Sequence, residues 1–386
     1  MAGDPQMVFV DGVAQRQVAS ASQVGPGTFA YDWAARRLVV GADPARVTIE
    51  AATRPVVLVN GVDGFQLRGI GVRRYASNEY YNITGSALYA SGSGLVVERS
   101  AFVDNAGGGL YVNPRSAVVR SSVFVRNGAN GLGANGHSRS GTADALTVVD
   151  NAFSGNNAEL FGAGCSQSCA AANVKIAHVN GFRIADNLVE GARGPKASGL
   201  WCDLDCRDGV FVGNLVRDNG DMGIFYEVSD RGTIAGNVVT GSGSDGIRVT
   251  SANTAVVHNT LLDNRDGIWV YDDRRSPLVA GTDAGPDTTG VTVANNVVRS
   301  QRWSLVVFTN ATSAPGTRPA TSSRRSTTTP TSAPGGARRC SGGTASGAGS
   351  SRAGPPPTRR WRRSRRRRAS SATAGRTPRR ASCRCR

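Results

Sequence analysis

Gly199-Leu-Trp-Cys-Asp203, Gly223-Ile-Phe-Tyr-Glu227, Gly246-Ile-Arg-Val-Thr250 and Gly267-Ile-Trp-Val-Tyr271 are four copies of one phrase, 24, 23 and 21 residues apart. Gly109-Leu-Tyr-Val-Asn113 and Gly131-Leu-Gly-Ala-Asn135 are earlier copies. Each is followed by a second short apolar stretch that ends in Asn, at Asn187, Asn214, Asn237, Asn259 and Asn296. A third signal closes some units at Asn219 and Asn264. Alternation of apolar and polar residues is the period of a half-buried strand, and no segment sustains a helical period. A unit this short cannot bury its apolar face alone. Stacked units can, each strand pairing with its equivalent one coil away. The pattern predicts an all-β chain: a right-handed parallel β-helix, a solenoid, over residues 55–310. Residues 1–54 are expected to form a flanking segment of short strands. The recurring Asn suits a ladder, because Asn tolerates left-handed backbone and its amide can bond the next coil's equivalent.

Charge divides the chain. It has 386 residues, with 45 Lys plus Arg and 28 Asp plus Glu, a formal net charge of +17. Residues 311–386 contain 19 Arg and no Asp, Glu or Lys, so residues 1–310 carry 26 basic and 28 acidic residues, a net −2. The folded body is therefore not a basic nucleic-acid binder. The last segment uses only Ala, Thr, Ser, Pro, Gly, Arg, Cys and Trp. It lacks the aliphatic residues needed to offset the entropy of ordering, which predicts disorder. Two origins stand open: a natural basic tail, or a GC-rich gene read out of frame after Asn310. Residues 1–10 have neither a basic start nor an apolar run of signal-peptide length. No stretch is long and apolar enough for a membrane span. Two close cysteine pairs, Cys165/Cys169 and Cys202/Cys206, suggest disulfides of an exported protein, with zinc as the alternative.

The Gly-Ile-x-Val and Asn-x-Val phrases resemble the repeats of the pectate-lyase-like superfamily of parallel β-helices. Phe65-Gln-Leu-Arg-Gly-Ile-Gly-Val-Arg-Arg-Tyr75, Gly155-Asn-Asn-Ala-Glu159 and Ile224-Phe-Tyr-Glu-Val-Ser229 are similar to stretches of large secreted actinobacterial β-helix proteins. The resemblance implies an extracellular or cell-surface location, a polysaccharide partner, a monomer and no obligate cofactor. It also implies that coils precede this sequence. The Asp-Pro-His-Asp motif of the superfamily's alginate epimerases is absent.

In each phrase the second and fourth residues point into the solenoid and the third and fifth point out. The first outward column then holds Tyr111, Gly133, Lys175, Trp201, Phe225, Arg248 and Trp269. The second holds Asn113, Asn135, Asp203, Glu227, Thr250 and Tyr271. Trp201, Phe225, Arg248, Trp269 and Tyr271 are candidate sugar-binding residues, since rings stack on sugar faces and charges bind hydroxyls and uronates. Packing of these rings under an inserted loop, at 155–172 or 277–289, is the alternative. Asp203 and Glu227 fall on adjacent coils, an arrangement that raises one carboxyl's pKa and suits a glycoside hydrolase. With Asp205 they could instead bind Ca2+. Lyase or epimerase chemistry would use Lys175 or Arg248 to neutralise a uronate carboxylate. A non-catalytic binding solenoid, its acidic stripe matched by Lys175 and Arg248, is the remaining reading. His137, His178 and His258 are scattered, and His258, next to a ladder Asn, is expected to be structural.

Overall fold

The computed structural model describes residues 7–77, 85–160, 171–272 and 288–308. Cys165, Cys169 and the segment 311–386 lie outside the described residues. The body is the expected β-helix. Its coils stack three parallel strand columns, or faces. The first face runs from Val57–Val59 through Ser86–Ser93, Gly108–Arg115, Leu132–Asn135, Ala171–Ala177, Ala197–Asp203, Ile224–Asp230, Asp245–Ala252 and Asp266–Tyr271 to Leu305–Phe308. The second runs from Gln66–Arg68 to Thr292–Ala294, and the third from Gly71–Arg73 to Val297–Ser300.

Register places like above like. Leu88, Leu110, Leu132, Val174, Leu200, Ile224, Ile247 and Ile268 form one inward column on the first face. All are buried. On the third face Phe102, Phe124 and Phe153 stack at 4.9 and 4.6 Å between ring centres. Burying such side chains supplies the main favourable term for folding.

The turn residues bond along the stack. Asn151, Asn187, Asn214, Asn237, Asn259 and Asn296 form one ladder, each amide Nδ2 donating to the next Oδ1 at 2.9–3.0 Å. The residue before each Asn, not the Asn itself, takes the left-handed backbone: Asp150, Asp186, His258 and Asn295 have φ between 55° and 56°, and Gly213 and Gly236 fill the same slot with φ 67° and 62°. His258 is therefore a turn residue. A second ladder links Asn105, Asn127, Asn156, Asn173 and Asn219.

The repeated Gly belongs to the second ladder. A Cβ on Gly199 would lie 2.5 Å from the Gly223 carbonyl and 2.9 Å from Asn219 Nδ2. A Cβ on Gly131 would lie 2.8 Å from Asn156 Nδ2. Glycine is required there by close approach, not by a positive φ.

The N-terminal segment pairs Val8–Val10 antiparallel with Val13–Ala14 and Ile49–Ala51, and Thr28–Asp32 antiparallel with Arg37–Val40. Met7, Phe9 and Ala52 pack against Ala76 and Ala106 of the body.

Cys202 and Cys206 do not form the expected disulfide. Both are free, buried thiols. Cys202 sits in an inward column between Ile176 and Tyr226 and contacts Ser229 Oγ at 3.4 Å. Burial and the neighbouring Cys206 push its pKa well up, so it is a protonated core residue.

Candidate functional site

The outward column of the first face has the predicted order. Tyr89, Tyr111, Gly133, Lys175, Trp201, Phe225, Arg248 and Trp269 follow in register, one per coil. Their side chains form two blocks. Tyr89 and Tyr111 stack at 6.0 Å with planes 14° apart. Across the next coil, the Lys175 ammonium sits 3.2 Å above the Trp201 ring centre, Trp201 stacks on Phe225 at 5.5 Å, and Arg248 lies 5.6 Å from Phe225.

Gly133 separates the blocks. It has no side chain where its neighbours carry a phenol and an ammonium, so the outward surface drops to backbone. The result is a cleft of about 400 Å³, inside the usual range for ligand sites of roughly 300–1,000 Å³. Tyr111 walls one side and leans over the floor, since a Cβ on Gly133 would lie 2.7 Å from its ring. Lys175 and Asp203 wall the other. Ser86, Asn130, Asn135 and His178 complete the polar lining.

The charges in this cleft are paired. Lys175 Nζ lies 2.7 Å from Asp203 Oδ2, with each side chain 10% exposed. The second oxygen, Asp203 Oδ1, is buried without a hydrogen-bond partner, as is Nδ1 of His178. Burial, aided by the positive charge of Arg139, lowers the His178 pKa, so the ring is neutral near pH 7. Burial raises the Tyr111 hydroxyl to about 12, leaving a protonated phenol able to donate.

Several expectations need correction. Trp201 and Phe225 do not present an open platform. They are only 4% exposed and cluster with Ala172 and Met222. Trp269 and Tyr271 remain half-buried, with Tyr271 stacked on Phe308 at 5.1 Å. Asp203 and Glu227 do not both line the cleft. Asp203 holds Lys175, whereas Glu227 accepts the Trp201 indole hydrogen bond at 2.6 Å and does not line the cleft. The Ca2+ option also fails geometrically. Asp205 is fully buried, binding Arg207 at 2.7 Å and Ser138 Oγ at 2.9 Å. No group of metal-ligating side chains occurs among the described residues. Arg248, the other candidate neutralising cation, is paired with Asp245 at 2.5 Å.

Repeat spacing alone sets Lys175, Asp203 and Tyr111 in the columns where the strand register has them, but it does not mark Gly133. The usable signal was one glycine in a column otherwise filled by large side chains. Ser86 and Asn130 had no such signal, because they reach the cleft from strand ends and turns.

The sequence profile of the family described as "Right handed beta helix region" matches residues 87–264. No curated protein matches the chain. Among solved structures, XylC in complex with xylose is 12% identical with a TM-score of 0.48, covering 78% of this chain and 67% of its own. The periplasmic alginate epimerase AlgG is 18% identical with a TM-score of 0.45, covering 73% and 64%. PfbA, a surface adhesin of Streptococcus pneumoniae, is 13% identical with a TM-score of 0.46, covering 65% and 62%. The chain thus spans about two thirds of the length of each. The strand register and the family profile together identify the fold of this chain as a right-handed parallel β-helix.

Proposed function

We propose that this β-helix binds an extracellular polysaccharide and seats one sugar unit in the cleft above Gly133. The observation that carries the reading is the gap itself: a backbone floor between an aromatic wall at Tyr111 and a charged wall at Lys175 and Asp203. A sugar needs a flat apolar surface and several hydroxyl partners. Tyr111 offers the first, and Ser86, Asn130, Asn135, Lys175 and Asp203 offer the second.

Binding is favoured over catalysis for a specific reason. Glycosidases of the usual kind need two carboxyl groups flanking the bond. Only Asp203 lines this cleft among the described residues. Lyase or epimerase chemistry needs a cation free to neutralise the uronate, and Lys175 and Arg248 are both engaged.

The test is glycan binding by titration calorimetry across a polysaccharide panel. Gly133→Leu should fill the cleft and reduce affinity at least about tenfold. The backbone at Gly133 has no positive φ, but a new Cβ would meet the Tyr111 ring at 2.7 Å, so Tyr111 must turn aside; circular dichroism and a melting curve check that the variant is folded. Tyr111→Ala should also weaken binding, by loss of the stacking wall. Full affinity in both variants, or release of reducing sugar from the panel by the parent, would refute the reading.

A further inference from the structure

We infer that the cleft accepts a neutral sugar and rejects a uronate. This rests on the cleft being the sugar subsite, and it follows from how the charges there are already spent. Among the lining residues Lys175 is the one basic side chain besides His178, and Asp203 is the one acidic side chain. They neutralise each other at 2.7 Å. A further face of the ammonium is covered by the Trp201 ring. Trp201 is itself pinned by Glu227. Lys175 therefore cannot swing to a ligand without breaking both contacts.

The unmet demand in the cleft is for a donor, not for an anion. Asp203 is 7% exposed, and its Oδ1 has no hydrogen-bond partner. A buried acceptor left bare costs about 1–3 kcal/mol, more if charged. The terminal torsion of a carboxylate is soft, so either oxygen can turn toward a ligand. A sugar hydroxyl supplies a donor to Asp203 and can accept from the Tyr111 phenol, Ser86 or an Asn amide. A uronate carboxylate supplies only acceptors. It would enter beside an existing carboxylate with no free cation to meet it, and an unpaired charge in a partly buried site is strongly disfavoured. His178 does not change this balance, because it is neutral near pH 7. Arg139 is near enough to influence His178, but it is exposed and does not line the cleft, so solvent and salt screen it.

The experiment compares neutral oligosaccharides (xylo-, gluco-, manno- and galacto-series) with oligouronates of equal length, on the full chain. The parent should bind at least one neutral series at least about tenfold more tightly than any uronate. That binding should change little as NaCl is raised, since no net charge is neutralised. Asp203→Asn should narrow or reverse the preference by freeing Lys175 for a uronate. The quantity read is the ratio of the two affinities, so a general loss of binding from weakened folding does not mimic the effect. The salt response of the parent provides a second readout that needs no variant. Uronate binding that equals or exceeds neutral binding, and that Gly133→Leu abolishes, would overturn the inference while leaving the cleft as the subsite. Absence of binding to either class, or binding indifferent to Gly133→Leu, would overturn the subsite and the inference together.

Discussion

At the residue scale, Glu98 shows how a single side chain ties coils together. It lies on the second face, 3% exposed, and three arginines surround it. Arg120 comes from the next coil and Arg68 from the previous one, while Arg99 is its neighbour in sequence. Their charge-assisted bonds, led by Arg120 and then Arg99, pull its pKa down from 4.5 to about 2. A carboxyl depressed on folding adds stability above its unfolded pKa, and that stability is lost as pH falls through the folded value. Chemical denaturation of the parent and Glu98→Gln should therefore differ by a constant amount above pH 4.5. The difference should shrink between pH 4.5 and about 2. An equal difference at pH 2 and pH 7 would show that the carboxylate charge is not what stabilises this turn. Asp203 differs from Glu98 in its partners. Glu98 is saturated with donors, whereas Asp203 has one and keeps an oxygen in reserve.

At the scale of the element, the second ladder contains a built-in repair. The turn position filled by Asn156 in one coil and Asn219 in a later one is Ala192 in the coil between them. Ala192 has no amide to continue the ladder. Asn173 replaces it from the first face, standing in the slot held by Gly131 and Gly199 in adjacent coils. Its Oδ1 accepts from Asn156 at 2.7 Å and its Nδ2 donates to Asn219 at 2.9 Å. The two departures from the repeat are one exchange: the amide moves across, and the small residue moves the other way. Asn173→Gly should destabilise the protein by about 1–3 kcal/mol, because a fully buried ladder loses a partner on both sides. Ala192→Asn alone should also destabilise, through crowding against Asn173. The double variant should recover most of the loss. Denaturant midpoints of the four proteins test this, and simple additivity of the two losses would sink the idea.

At the scale of the molecule, stability in a solenoid is a sum of coil and interface contributions. Central coils have neighbours on both sides. Leu305–Phe308 pairs with Asp266–Tyr271, and Leu305, Val307 and Phe308 remain 38–57% exposed. Hydrogen exchange should accordingly open this strand well before Ala197–Asp203 and Ile224–Asp230, whose residues are all buried. Uniform protection along the stack would contradict that gradient. The cleft over Gly133 lies away from this strand, on Leu132–Asn135, which pairs with a coil on each side.

The fold was legible in the sequence because stacking repeats one contact many times. Each Gly-Ile-x-Val phrase and each ladder Asn is an independent report of the same register, so Lys175 could be set beside Trp201 from spacing alone. The outward order of charges and rings came from the same alternation. Where those side chains go was not legible. Trp201 and Phe225 read as surface and are buried beside Ala172 and Met222. Cys202 and Cys206 read as a disulfide and are free thiols in the core. Glu227 read as the partner of Asp203 and instead holds an indole. These outcomes depend on side-chain reach and on which neighbour lies nearest, and strand periodicity carries neither. The repeat determined the solenoid and the rows of its side chains. Only tertiary structure decided that the absence of a side chain, at Gly133, leaves a cleft, because a cleft exists only once both walls are in place.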